Sequence, residues 1–542
     1  MHNSVVVILP ALVLAGAALL VLVVDMFVRT KAVLAWVAAA GLVATAAVAI
    51  GQWIVFKGYP AFSVNGNTPF SGRLPKWGFN HMVANDHYGL FFTLLFCVIG
   101  ALTIMLSDAY IKARGSGRGE FYVLLLLIIS GMIGMVVATD IIVFFVAFEL
   151  MSLPTYVLAG FLRRDRKSGE AAVKYFINGA LAAAILAFGL ALLYGVSGHS
   201  NYTHIAASLA SLGGRTGLSI VALVLITVGF GFKIAAVPFH GWAPDVYEGA
   251  PTPVTAFMSV GVKAAAFAGF MKLLILAAAP HWQVWVDALI MLSVITMVVG
   301  NVLALPQRNL KRMLAYSSIA HAGYLMLGVI AAGKVFGVAI ASVRFTESPS
   351  RPHAGFLGSQ FVHNGIGKLS PYTLSSQGAR AVLFYLAAYT FMNLGAFGLL
   401  VWIRNRRRFN YTLDEMAGLG RSMPWAAFAM MLFMLSLTGI PPLVGFWGKF
   451  YLFTAVVDAH YTWLAIIAVL MSAVSAFYYL RVVWYMYFRE QPEDAKVVPE
   501  PAGRSLGVSV ALTIAAIAVV GLGLYPSPLI DFARHALRYV LG

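Results

Sequence analysis

The chain has 542 residues, 61% of them hydrophobic and 11% charged, where soluble domains carry about 25% charged residues. That balance excludes a surface dressed for water and fits a lipid bilayer as solvent. The net charge of +17 is not a nucleic-acid footprint, because Lys and Arg sit mainly in short segments between apolar runs, as membrane topology requires.

A helix needs roughly 20 apolar residues to cross hydrocarbon. That length predicts about fourteen spans, near 4–28, 32–56, 85–106, 120–138, 140–162, 171–195, 218–240, 252–277, 283–305, 313–333, 380–403, 423–457, 462–488 and 506–526. The expected class is an all-α polytopic membrane protein. The first run follows Met-His-Asn without a positive n-region, and Arg29 and Lys31 come after it. It is therefore expected to be a retained span with its N-terminus outside, not a cleaved signal peptide. Cys97, the single cysteine, lies inside the third run, which excludes a disulfide framework and iron–sulfur or zinc sites built on cysteine clusters. "GSGRGE", Gly115 to Glu120, spaces its glycines wrongly for a dinucleotide fingerprint and lies in a basic loop. Only Thr139-Asp140 divides the fourth span from the fifth. The twelfth is too long for one straight crossing, and Pro441-Pro442 inside it predicts a broken helix.

Loop charge sets the orientation. The groups Arg29/Lys31, Lys112/Arg114/Arg118, Arg163/Arg164/Arg166/Lys167, Arg308/Lys311/Arg312 and Arg404/Arg406/Arg407/Arg408 all fall on one side of a fourteen-span count. That side is expected to be cytoplasmic, with both termini outside. Two outer loops are long, about 57–84 and about 334–379. The second is an irregular Ser-, Pro-, Gly- and His-rich excursion in which no chemistry is legible.

Five charged side chains within apolar runs are singled out as candidates: Glu149, Lys174, Lys233, Lys263 and Lys449. A charge near the bilayer centre costs at least ~2.5–3.5 kcal/mol. Lys174 lies only a few residues into its span and can equally reach the interface. One carboxylate cannot neutralise four lysines, so some must be uncharged, hydrated or held by backbone. Burial favours neutral lysine and a nearby carboxylate favours the charged form, so Glu149 approaching or leaving Lys233 would switch whether the lysine holds its proton. This is the inventory of a proton relay; a set of buried salt bridges that fixes helix packing is the alternative. Pro238 lies five residues after Lys233, and Pro441 and Pro442 lie shortly before Lys449. Such breaks open backbone groups at the depth where many transporters build ion sites. His240 follows the first break and His321 lies within "AYSSIAHAGYLMLG". Each is either a proton carrier, since imidazole titrates near neutrality, or a helix–helix hydrogen-bonding group.

"FELMSLPTYVLAG", "EAAVKYFINGA", "GFKIAAVPFHGWAPDVYEGAPTPVT", "NLKRMLAYSSIAHAGYLMLG" and "LTGIPPLVGFWGKFYLF" resemble the antiporter-like membrane subunits of respiratory complex I. Among these the chain is most similar to the N-type subunits of bacterial NADH–quinone oxidoreductase. The resemblance runs from about 85 to 490, interrupted by the insert at 334–379. It implies two five-helix units related by inversion, at about 119–278 and 279–490, with discontinuous seventh and twelfth spans. Residues 1–118 would form three preceding helices, and 491–542 a loop and last helix. It implies that Glu149 and Lys233 form an ion pair with Lys174 as an accessory basic group. Lys263 would link two half-channels, Lys449 would end the outward path, and His240 and His321 match family positions. Lys449 itself favours the N type over a sister subunit with glutamate there. The implied role is proton translocation in a bacterial inner-membrane complex, beside sister antiporter-like subunits. Flavin, iron–sulfur clusters and quinone are expected in partner subunits and no cofactor in this chain. A multi-component cation/proton antiporter subunit and a structural spacer with permanently paired charges are the other two readings.

Overall fold

Apolar runs with no internal polar periodicity form helices because, without water, only intrahelical bonds satisfy the backbone. The computed structural model describes residues 2–28, 32–56, 77–114, 119–211, 217–344, 377–403, 411–490 and 506–537. The chain begins α1 His2–Val7, α2 Leu9–Phe27 and α3 Ala32–Phe56, then a two-stranded antiparallel hairpin, β1 Trp77–Gly78 with β2 Val83–Ala84. There follow α4 His87–Ala113, α5 Glu120–Val137, α6 Ile141–Ala159, α7 Arg166–Ser197, α8 Tyr202–Ser211, α9 Gly217–Lys233 and α10 Trp242–Gly249. Next come α11 Thr252–Phe257, α12 Lys263–Leu276, α13 Trp282–Ala304, α14 Leu310–Arg344 and α15 Gln377–Trp402. The order ends with α16 Leu419–Ser422, α17 Pro424–Thr438, α18 Val444–Asp458, α19 Thr462–Phe488, α20 Leu506–Leu524 and α21 Ser527–Leu537.

Among the described residues twelve helices are long and apolar enough to cross a membrane, and α9 and α17 are shorter apolar helices. Together they fall where the fourteen spans are expected. The division between the fourth and fifth is real: α5 stops at Val137, and Asp140 starts α6 by accepting the Ile142 amide at 2.8 Å. Asp86 caps α4 through the Gly89 amide at 2.6 Å, and Asp165 caps α7 through Lys167 at 3.0 Å. The insert expected at 334–379 begins later than its sequence suggests, because α14 continues to Arg344. Residues 345–376 lie outside the described residues, as do Arg29, Lys31, Arg118 and the 404–408 basic group.

The helices alternate in direction, so two faces can be told apart. One face carries the hairpin, which meets the end of α5 through Val83 and Ala138, and the start of α6, where Asp140 bridges Asn201. The opposite face joins the end of α4 to the start of α7 through Arg114 and Asp165, and Asn309 to Thr412. α11–α12, α14 and α15 lie almost wholly inside the bundle, while α2, α3, α19 and α20 turn most of their surface outward. A π-helical segment, Met258–Val262, joins α11 to α12 immediately before Lys263; such segments occur often at functional sites.

Both expected breaks are present. Lys233 is the last residue of α9, so it stands at a helix end and not mid-span. Across the gap Ala236 donates to the Gly231 carbonyl at 2.7 Å, Val237 donates to Thr296 Oγ1 at 3.0 Å, and Ala235 adopts φ 59°. The Trp242 indole returns to the Phe232 carbonyl at 3.2 Å. The freed backbone groups thus have partners. In the second break Gly439 closes α17 at φ 94°, a conformation glycine adopts freely. α18 then begins so close to α17 that a Cβ on Gly445 would stand 1.8 Å from the Ser436 carbonyl oxygen. Gly445→Ala is therefore expected to push the halves of this broken span apart, at a cost of at least ~1–3 kcal/mol. A lowered thermal midpoint of the purified protein would register it; an unchanged midpoint would contradict the close crossing.

Candidate functional site

α6 presents Glu149, Ser152 and Tyr156 at i, i+3 and i+7, which places them on one stripe. The Lys233 ammonium, 2% exposed, donates to Ser152 Oγ at 2.7 Å. It is surrounded by aromatic faces, with the rings of Phe148, Tyr156 and Tyr175 centred 4.9, 5.5 and 5.8 Å away. Tyr175 in turn stacks on Trp242, the first residue of α10, at 4.4 Å. The ion pair implied for Glu149 and Lys233 is not a direct contact. Ser152 holds the lysine, while Glu149 stands within electrostatic reach and its Oε1 has no hydrogen-bond partner among the described residues.

Lys263, 3% exposed, donates to both the hydroxyl and the carbonyl of Ser318 on α14. α14 then supplies Ser317, His321 and Tyr324 at helical spacing, and each has a buried polar partner. Ser317 shares a hydrogen bond with the Tyr479 hydroxyl, which lies 3.0 Å from His321 Nε2. His321 Nδ1 bonds the Tyr385 hydroxyl. The Tyr324 hydroxyl accepts from Asn301 at 3.1 Å. Lys449, 4% exposed, faces the Tyr324 ring at 5.2 Å and donates to the Thr438 carbonyl and Ser472 Oγ, each at 2.8 Å. The Thr438 carbonyl is available because the second break ends α17 there. Along α14, Ser317, Ser318, His321 and Tyr324 thus form one wall of buried hydroxyl and imidazole groups that holds Lys263 through Ser318 and faces Lys449 through the Tyr324 ring. His240 is half-buried just beyond the first break and lies outside that wall.

Lys174 belongs to a different group. It pairs with Glu170 and Asp245, each at 2.7 Å, on the face opposite the hairpin. Asp245 also meets Arg312 at 2.7 Å, and Glu248 meets Arg312 at 3.3 Å and Lys167 at 3.0 Å. These six side chains line a cavity of about 180 Å³. Beneath it Lys311, 3% exposed, donates to the carbonyls of Glu248 and Ala250 at 2.8 and 2.7 Å and so holds the end of α10. Burial alone would raise the Asp245 carboxyl. Hydrogen bonds and charge from Lys174 and Arg312 outweigh it and hold the group below the usual range. Glu248 is likewise raised by burial and held low by Lys167 and Arg312.

Sequence reasoning missed Ser152, Ser317, Ser318, Tyr385 and Tyr479, whose hydroxyls look like ordinary helix residues until packing brings them to a lysine or a histidine. It also read Lys311 only as loop charge. Lys272 in "FAGFMKLLIL" carried the same signal as the other buried lysines and was overlooked.

Lysines caged at helix breaks within a bundle of membrane-length helices define an antiporter-like, ion-translocating membrane subunit. Residues 138–345 and 363–475 match the family described as NADH:quinone oxidoreductase/Mrp antiporter, membrane region. NADH-quinone oxidoreductase subunit N of Trichlorobacter lovleyi is 40% identical over 98% of this chain and 97% of its own. Its counterpart in Myxococcus xanthus is 40% identical over 97% and 96%. A chain in respiratory complex I from Thermus thermophilus with bound aureothin superposes with a TM-score of 0.72 at 31% identity, covering 96% of this chain and 98% of that one. A chain of the Mrp complex from Dietzia shares the fold, with a TM-score of 0.74 over 99% and 97%, at 22% identity. The chain belongs to the subunit N family of NADH-quinone oxidoreductase.

Asp245 and Glu248 have depressed values, so the stability they lend is complete above the unfolded-state values of about 3.9 and 4.3. It is lost as pH falls through the lower folded-state ones. Amide exchange across α10, corrected for its intrinsic rate, is expected to quicken on acidification below about pH 4. Asp245→Asn should remove part of that response; an α10 indifferent to acid would contradict the clamp.

Proposed function

We propose that this chain is a proton-translocating membrane subunit of NADH–quinone oxidoreductase, moving protons along buried lysines while quinone is reduced elsewhere in the complex. One observation carries the reading: Lys233, Lys263 and Lys449 are all sealed from solvent, and each is held by hydroxyl or carbonyl oxygens with no carboxylate within ion-pair distance among the described residues. An ammonium held only by neutral oxygens has no fixed counter-charge, so its proton is exchangeable and its charge state answers to neighbouring groups.

Residues 119–278 and 279–490 act as two inverted five-helix units, flanked by the helices of 1–118 and 491–542. Because five is odd, the second copy enters the membrane from the opposite face. Glu149 biases Lys233 from across Ser152. Lys174 is an accessory group that sets the position of α10 through Asp245, and His240 is adjacent to the first break. Lys263 passes charge along α14 to His321 and Lys449. The chain lies in the bacterial cytoplasmic membrane with the hairpin face and both termini outside. It packs beside sister antiporter-like subunits, and partners hold the flavin, iron–sulfur clusters and quinone. A spacer with permanently paired charges is disfavoured by the lysines' neutral partners. A separate cation/proton antiporter is supported by the shared family model and by fold, the Mrp chain being only 22% identical.

In the assembled complex, Lys233→Ala is expected to reduce NADH-driven proton transport at least about tenfold while leaving subunit composition unchanged. Glu149→Ala should slow transport in the same assay. Parent-level pumping in both variants would overturn the relay; loss of assembly in step with transport would favour the spacer.

A further inference from the structure

One fully buried lysine differs in kind from the relay lysines. Lys272, 2% exposed at its side chain, pairs with Asp86, 6% exposed, at 3.0 Å, and also donates to the Val136 carbonyl at 2.9 Å. The other Asp86 oxygen is occupied by the Gly89 amide at 2.6 Å. The pair thus ties the start of α4, the end of α5 and the end of α12 together on the hairpin face. Lys272 follows Lys263 by nine residues on the same helix, about 13 Å nearer that face.

The space between the two levels is filled by aromatic rings. Phe230 lies three residues before Lys233 on α9, and Phe267 and Phe270 follow Lys263 on α12. Phe144 precedes Glu149 on α6. Phe270 meets Phe144 at 5.1 Å and Phe230 at 4.7 Å, and Phe230 meets Phe267 edge-on at 5.4 Å. All four rings are at most 1% exposed. The Tyr88 hydroxyl, beside them, is engaged by the Ala268 carbonyl at 2.8 Å. The four phenylalanine rings carry no hydrogen-bonding group, Lys272 donates to two oxygens, and both Asp86 oxygens are engaged.

We propose that these phenylalanines and the Lys272–Asp86 pair form a fixed plug closing the first five-helix unit towards the hairpin face, so that protons on Lys233 and Lys263 leave only sideways, along α14. This rests on the relay reading above. The pair is a positioning device that fastens three helix ends together, and it does not itself transfer protons. Lys272→Met leaves Asp86 buried without its cation, and burial then favours its protonated form. A titratable acid replaces an inert ion pair in the plug.

The test uses the complete complex in proteoliposomes, reading NADH oxidation, the steady pH gradient and passive proton leak together. Lys272→Met is expected to keep oxidising NADH while its gradient falls about twofold and its passive leak rises. The double variant Asp86→Asn/Lys272→Met removes both charges, and the parent's gradient and leak should return. Parent-level gradient and leak in Lys272→Met would overturn the plug. So would a double variant that oxidises NADH without building a gradient at unchanged leak, since the pair would then belong to the relay. If Lys272→Met does not assemble, Asp86→Asn, which leaves Lys272 without its carboxylate, takes its place with the same expected fall in gradient and rise in leak, and parent-level values there would overturn the plug. Lys233→Ala run in parallel separates the two readings: full pumping there defeats the relay whatever the plug variants do.

Discussion

An ammonium group inside a membrane protein must find oxygen atoms, and a regular helix offers few. Backbone carbonyls in its interior each already accept one bond, so the oxygen comes mainly from side-chain hydroxyls or from places where a helix stops, with the second lone pair of the Ser318 carbonyl as a supplement. Lys449 uses both, taking the Thr438 carbonyl freed by the second break and the Ser472 hydroxyl. Lys233 stands at the end of α9 and takes Ser152. Lys263 follows a π-helical segment and takes two oxygens of Ser318. Broken or distorted helices, hydroxyl stripes and buried lysines are consequences of this one requirement.

The buried lysines then divide by partner, and the partner sets the role. Those held by neutral oxygens can change charge without stranding a counter-ion. Lys272, held by a carboxylate and a carbonyl, cannot. Lys311 is held by carbonyls, but these belong to the end of α10, so it acts as a helix cap. Similar composition therefore yields relay, plug and fastening within one bundle.

α14 connects these parts mechanically. At its start Lys311 and Arg312 grip α10, and one turn and more further on Ser317, Ser318, His321 and Tyr324 line the path between Lys263 and Lys449. The second half of the first broken span is thus fastened to the helix that serves the second lysine group. Asp245 and Glu248 complete that fastening by bridging α10 to α7 as well as to α14.

Sequence alone determined the elements and the cost of the charges. Apolar runs of membrane length recover the helices, because in hydrocarbon no other backbone arrangement satisfies its own hydrogen bonds, and proline locates both breaks because it cannot donate one. Glu149, Lys233, Lys263 and Lys449 stood out because charge in an apolar run is expensive wherever it falls. What those charges touch was decided only by tertiary structure. Ser152, not Glu149, bonded Lys233, Asp245 claimed Lys174, and Asp86 met Lys272 from 186 residues away. Helix spacing specifies which residues share a stripe, but which neighbouring stripe faces it depends on how the whole bundle packs, and no local pattern encodes that.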